Sequence, residues 1–277
     1  MIKDDRVLRA TRVLGAVIVP FLLVAFSLLY LFPGDTAHWF AWPIKPRMTP
    51  LVMGAGYIAG GYFFLRVVTA SHWHRVHLGF LPITAFTLFM AIATFSHLDK
   101  FDKDHVAFWI WVVLYVVTPV LVPLTWLRNR ATDPGTLEAD DRYLPPRVRA
   151  MVGGAGALQS AVAAVLLLSP STMIDIWPWT LTPLTAQVLG GWFALPGVVA
   201  IMMALDGRWS AIRITLESQV LGIGLILLGV VRAWSDFDTS NALTYVFVGG
   251  ISLLLAGLLA LVVFMERPRA AAPLVPA

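Results

Sequence analysis

The chain alternates between long apolar runs and shorter polar or aromatic segments. Eight runs carry almost no charge, and about twenty helical residues cross a hydrocarbon core of about 30 Å. The pattern therefore predicts an all-α polytopic membrane protein, since barrel strands would alternate apolar and polar positions. The predicted spans are Val13–Phe32, Met48–Leu65, Leu78–Ser96, Val106–Leu127, Ala150–Leu168, Thr185–Leu205, Ile214–Val231 and Ala242–Met265.

A cleaved signal peptide is the alternative interpretation of the first run. A signal peptide has an apolar core of about 7–15 residues, followed by a small-residue cleavage site. This run is longer and ends in Phe32-Pro33-Gly34-Asp35. We therefore expect an uncleaved first span.

Composition supports a bilayer as the main solvent of this chain. Of its 277 residues, 58% are hydrophobic and 13% are charged, whereas a soluble domain carries about 25% charged residues. The chain has no cysteine, which excludes disulfides, thiolate metal sites and cysteine nucleophiles. The net charge of +4 does not indicate nucleic acid, because the basic residues follow the membrane topology.

The basic residues lie mostly on one predicted side of the membrane. With eight spans, that side holds 15 of the 20 lysines and arginines. Positive loops face the cytoplasm, so we expect a multi-pass protein of the cell membrane with both termini cytoplasmic.

Boundary residues recur along the chain in the same order. Five of them recur 137 positions later, and after a one-residue gap three more recur at an offset of 136. This predicts two parallel four-helix repeats, 1–127 and 150–277, joined by a cytoplasmic linker at 128–149 and related by an axis along the membrane normal. The alternative is that hydropathy alone imposes similar loop spacing. The pairs are Pro33/Pro170, Trp42/Trp179, Pro46/Pro183, Gly54/Gly191, Gly60/Gly197, Trp73/Trp209, Phe101/Phe237 and Asp102/Asp238.

Glycines concentrate in the second and sixth spans. Gly56 and Gly60 share a helical face, and Gly191 belongs to a similar set in the sixth span. Close backbone approach drives helix packing in lipid, so we expect these two spans to meet at the centre, along a substrate path or a packing seam. The alternative is that glycine is simply frequent in membrane helices.

Glu217 is the one ionisable residue well inside a span, which makes it a functional candidate. Arg213 lies four residues earlier on the same face, so an interfacial ion pair is the alternative. Gln219 beside it could hydrogen-bond to a neighbouring helix.

The densest polar cluster is the outer loop 97–105. The imidazoles and carboxylates of His97, Asp99, Asp102 and His105 could bind a divalent cation. Lys100 and Lys103 are interleaved with them and oppose cation binding, so we expect a solvated turn and no metal site. Asp102 pairs with Asp238 in the repeat, which suggests a shared role in capping the next helix.

Trp42 and Trp179 each stand four positions before a proline on the outer side. They could form two symmetric entrances or docking surfaces for membrane protein partners. The alternative is an aromatic belt at the interface.

The chain contains no phosphate-binding loop, nucleotide fingerprint or hydrolase motif, so no cofactor or catalytic residue is expected. Three hypotheses remain. The first is a transport-type protein for an uncharged or lipid-like solute. The others are a non-catalytic membrane subunit or scaffold, and an intramembrane enzyme using Glu217 or His97.

Overall fold

The computed structural model describes residues 3–267. Within them lie eight helices that are long and apolar enough to span a membrane, so the protein is a multi-pass integral membrane protein. The helices are α1 Arg9–Leu31, whose last five residues Ser27–Leu31 are π-helical, α2 Met48–Thr69, α3 Phe80–Ser96, α4 Val106–Asn129, α5 Pro146–Leu168, α6 Pro183–Asp206, α7 Trp209–Arg232 and α8 Ala242–Glu266.

Several helices extend beyond the apolar runs that predicted them. Helix α2 continues to Thr69 and includes Arg66, and α7 begins at Trp209 and includes Arg213. The predicted loops 66–77 and 206–213 are therefore shorter than expected. Hydropathy marks the hydrocarbon region, whereas a helix continues into the polar layer until its backbone is capped.

The helix ends explain where the chain turns. Gly207 ends α6 in the left-handed conformation at φ 78°, which favours glycine. His105 and Asn241 cap α4 and α8 by accepting the backbone N–H groups of Ala107 and Leu243. Asp102 and Asp238 were expected to be these caps, which is wrong. Each instead accepts the N–H two residues later and shapes the turn before the helix.

The connecting segments meet in two groups at opposite ends of the bundle. The terminal face contains 3–8, 70–77, 129–145, 206–210 and 265–267, joined by bonds such as Asp5 to Trp73 and Trp209 to Glu266. The aromatic face contains 33–47, 97–105, 169–182 and 233–241, joined by bonds such as Met48 to Asp236.

Packing crosses between the two halves of the chain. Helix α2 packs against α1 and α7, and α6 packs against α5 and α3. Small residues permit these approaches: a Cβ at Gly156 would lie 2.6 Å from the carbonyl oxygen of Gly197, and one at Gly222 would lie 3.1 Å from Ala59. Helices α2 and α6 touch each other where Trp192 covers Gly56.

Two arginines on the terminal face make closely similar contacts. Arg12 of α1 donates to the carbonyl oxygens of Val68 and Ala70 at the end of α2, at 2.5 and 2.7 Å. Arg149 of α5 donates to Ala204 and Leu205 at the end of α6, at 2.8 and 3.0 Å. Both satisfy carbonyls that a helix end leaves without an internal donor.

Two aromatic clusters on the other face also resemble each other. Trp42 lies 4.9 Å from Phe101 and 4.9 Å from Trp111 between ring centroids. Trp179 lies 5.2 Å from Phe237 and 5.1 Å from Phe247. Their backbone hydrogen bonds are also alike: the N–H of Asp102 donates to the carbonyl oxygen of Ala41, and the N–H of Asp238 donates to that of Pro178, both at 2.9 Å.

Candidate functional site

A cavity of about 180 Å³ lies between α2, α6 and α7, with further walls from α3, α5 and α8. It extends along α2 from Val52 to Phe63, roughly 16 Å at 1.5 Å per residue. Its walls are mainly aliphatic and aromatic. The lining residues, all within 3–267, include no Asp, Glu, Lys, Arg or His.

Gly56 shapes the middle of this cavity. A Cβ there would lie within 2.8 Å of three ring atoms of Trp192, whereas carbon atoms normally approach to about 3.5–4.0 Å. The indole is held on its other sides by Tyr57, at 4.9 Å and 89°, and by Phe86, at 4.4 Å. Glycine therefore lets Trp192 form a cavity wall.

The other two glycine candidates, Gly60 and Gly191, have different surroundings. Gly60 lines the cavity, and a Cβ there would meet only Leu22 at 3.4 Å. Gly191 does not line it, because it faces Phe89 and Met90 of α3. Gly191 and Gly56 permit close packing against α3 and Trp192, whereas Gly60 has only Leu22 within 4 Å of a Cβ.

Few polar side chains reach the cavity. Thr215 donates to Ile212 and Ser218 donates to Ala59, so both hydroxyls are satisfied by backbone carbonyls. Gln159 of α5 and Gln219 of α7 also line it. Within the described part of the chain, neither of these side-chain amides has a hydrogen-bond partner.

Glu217 lies outside the cavity. Its carboxylate bonds to the hydroxyl of Tyr62, to Arg66 at 3.2 Å and to Arg213 at 3.1 Å. The expected pair with Arg213 is thus present, and α2 supplies two further partners. This arrangement ties α2 to α7 near the terminal face and gives the carboxylate no free path to the cavity.

Trp42 and Trp179 are buried at 3% and 2% exposure. Their rings form the cores of the two aromatic clusters, so they are not surface docking groups. Trp179 also reaches the cavity, and its indole N–H donates to Thr49 at 2.9 Å.

The outer loop does not gather its polar residues into one site. Asp99 forms an ion pair with Lys100 at 2.8 Å. Asp102 and His105 accept the backbone N–H groups of Asp104 and Ala107. Within residues 3–267, the buried Nε2 of His97 has no hydrogen-bond partner. Among residues 3–267, no group of three or more His, Asp or Glu side chains is placed to hold a metal ion.

Ion pairs on the terminal face join distant segments. Arg208 is 5% exposed and binds Asp133 and Asp206 at 2.9 and 2.7 Å. Partial burial would raise the pKa of Asp133, but hydrogen bonds from Arg208 and Gly135 outweigh it, so this pKa is lowered. Arg75 donates two bonds to Glu138, which lowers the pKa of that carboxyl.

No protein-family model, curated protein or solved structure matches the chain. The site must therefore be interpreted from its own geometry.

Among the cavity residues that sequence reasoning missed, Trp192 and Gln159 matter most. Trp192 is one large apolar residue in an apolar span, so nothing in the sequence marks it. Its contact with Gly56 depends on how α2 and α6 are rotated relative to each other. Gln159 carried a signal, because an amide in the middle of an apolar run is costly in lipid.

Proposed function

We propose that this membrane protein is a transport-type protein for an uncharged or lipid-like solute, which binds in the cavity between α2, α6 and α7. The observation that carries the proposal is an apolar cavity, without charged lining residues, within helices that span the membrane. Apolar walls with few polar groups are typical of small-molecule sites. A charged solute would lose its hydration without gaining a counter-charge.

The proposed architecture is two four-helix repeats, 1–127 and 150–277, with 128–149 between them. Its support is the recurrence of specific contacts at equivalent positions: the arginines Arg12 and Arg149, and the aromatic clusters around Trp42 and Trp179. Side-chain contacts of this kind do not follow from loop spacing alone. In this architecture the cavity lies at the boundary between the repeats, where transporters of repeated fold place their substrates.

Orientation belongs to the same proposal. The terminal face holds most of the basic residues, so we place it, with both termini, in the cytoplasm of a cell-membrane protein. Reporter fusions at Lys3 and after Arg267 test this, because both should report the cytoplasmic side.

Transport is tested with the protein reconstituted in liposomes. The probe is a long-chain alkyl glucoside with a fluorescent NBD group at the end of its single chain, which is uncharged and lipid-like. Dithionite bleaches the outer leaflet, so transbilayer movement increases the bleached fraction. We expect the protein to accelerate movement of this probe and Gly60→Val to reduce the acceleration, because Gly60 lines the cavity and a larger side chain leaves less room there. Gly224→Val is the control, since Gly224 has nothing within 4 Å of a Cβ.

The scaffold hypothesis makes a different prediction. A scaffold does not need the cavity, so Gly60→Val would leave its partner binding unchanged. Tryptophans that remain exposed on the aromatic face, Trp39 at 57% and Trp109 at 58%, favour this candidate. It would gain support if no probe movement is seen and if a co-purifying membrane protein is lost on changing these two residues.

A further inference from the structure

Gln159 and Gln219 are the two amides that line the cavity, and neither has a hydrogen-bond partner among residues 3–267. Each lies near the middle of its helix, roughly 15–20 Å from the terminal-face end at 1.5 Å per residue. Both residues also lie inside the apolar runs that mark the hydrocarbon region. An amide in such a place without a partner loses hydration that nothing replaces.

The other polar side chains around the cavity show how the fold usually avoids this cost. Thr215 and Ser218 donate to backbone carbonyls, and Trp179 donates to Thr49. The indole N–H of Trp192 has no partner, but it is closed off from any space. The two glutamine amides differ because they line the cavity without a hydrogen-bond partner in the described part of the chain, and so can bond to a guest molecule.

A third glutamine supplies an internal comparison. Gln187 lies in α6 outside the cavity, and its amide donates to the carbonyl oxygen of Leu167 at 2.9 Å. The amide oxygen of Gln187 is buried and has no partner among the described residues. Packing between helices therefore gives Gln187 one backbone bond, through its NH2 group, whereas Gln159 and Gln219 line the cavity.

We infer that Gln159 and Gln219 bind the polar head of an uncharged amphiphile with one alkyl or isoprenoid chain, and that the head carries a hydroxyl group. The inference rests on the proposed function and defines its solute. An amide both donates and accepts, and a hydroxyl does the same, so each can satisfy the other.

The rest of the cavity fits the remainder of such a molecule. Its length of roughly 16 Å along α2 and its narrow volume of about 180 Å³ suit one chain. Phe193, Ile223 and Ile226 line its apolar wall. A carboxylate or ammonium head would meet no opposite charge among the lining residues, so the site discriminates against ions.

The test uses the full-length protein in lipid nanodiscs with a diazirine-bearing octanol as photolabel. Labelled residues are mapped by mass spectrometry, and labelling of the cavity wall is competed with 1-decanol, decane or decanoate at pH 8. We expect decanol to compete about tenfold better than decane or decanoate. This corresponds to one or two net hydrogen bonds.

Variants separate the amides from the cavity itself. Gln159→Met and Gln219→Met keep side-chain length and remove the amide, and each should reduce the advantage of decanol over decane about threefold or more. Gln187→Met is the matched control and should leave that advantage unchanged. The thermal unfolding of each variant is measured first, so that a misfolded variant is not counted.

The outcomes distinguish the two proposals. If decanol and decane compete equally and the Met variants change nothing, the role of the amides is refuted while the cavity as a lipid-like site survives. If decanoate competes best, the exclusion of ions is refuted. If the photolabel marks only lipid-facing residues and never the cavity wall, the proposed function fails as well.

Discussion

The contact between Gly56 and Trp192 gives the sharpest prediction about how this bundle is built. In Gly56→Ala, the new Cβ would lie within 2.8 Å of three atoms of the indole. The nearest ring atom would lie 2.1 Å away, so the ring would have to withdraw by roughly 1.5 Å to reach an ordinary carbon contact. It has little freedom to do so, because Tyr57 and Phe86 hold it at 4.9 and 4.4 Å between centroids.

The expected cost is that of overpacking a core, about 1–3 kcal/mol. Alanine favours helix over glycine by up to about 1 kcal/mol, which partly offsets it. Gly224→Ala isolates this second term, because a Cβ at Gly224 meets nothing within 4 Å. We therefore expect Gly224→Ala to be neutral or stabilising and Gly56→Ala to be destabilising.

Unfolding of the purified protein in detergent measures both variants, by heat or by titration with a denaturing detergent. A third variant, Trp192→Leu, shortens the side chain that causes the clash, and Gly56→Ala should cost less in that background. The reasoning is refuted if Gly56→Ala behaves like Gly224→Ala, or if its cost is the same with and without Trp192.

Three further predictions concern the terminal face. Arg12→Leu and Arg149→Leu each leave two helix-end carbonyls without donors and should lower the unfolding temperature by similar amounts, each losing about 1–3 kcal/mol; a large effect of only one would contradict their equivalence. Because the folded pKa values of Asp133 and Glu138 lie below the ordinary 3.8 and 4.5, their stabilisation is complete above about pH 5 and is lost as the pH falls through the lowered values. Unfolding measured from pH 6 to 3 should show this loss, and Asp133→Asn should lower stability at pH 6 and flatten the profile. Glu217→Gln should weaken the link between α2 and α7 without changing decanol competition, since Glu217 lies outside the cavity; a change in competition would place the carboxylate on the substrate path.

The number and approximate position of the spans followed from the apolar runs alone, because a hydrocarbon core requires continuous apolar length. Helix ends were less predictable. Arg66 and Arg213 lie within helices, and both form ion pairs with Glu217. The pair between Arg66 and Glu217 depends on how α2 and α7 pack. The caps at His105 and Asn241 were missed because the expectation followed the repeat pairing of Asp102 with Asp238, although Asn is as good a capping residue as Asp.

The candidate site was only partly predictable. Glycine spacing pointed to Gly56 and Gly60, which line the cavity, but also to Gly191, which packs against α3. Glycine permits close approach and also leaves empty space, and a sequence does not distinguish these outcomes. Glu217 attracted attention because charge in a span is rare, yet three neighbouring side chains satisfy it.

The contrast between Glu217 and the two glutamines connects the fold to the proposed solute. Glu217 lies only two residues from Gln219, but Arg66 and Arg213 neutralise it and it does not line the cavity. The polar side chains that do line the cavity are uncharged amides, hydroxyls and indoles. A path for an ion would instead place a counter-charge on the cavity wall, where hydration is lost. The distribution of charge therefore favours a solute that occupies the cavity without charge and exchanges hydrogen bonds there.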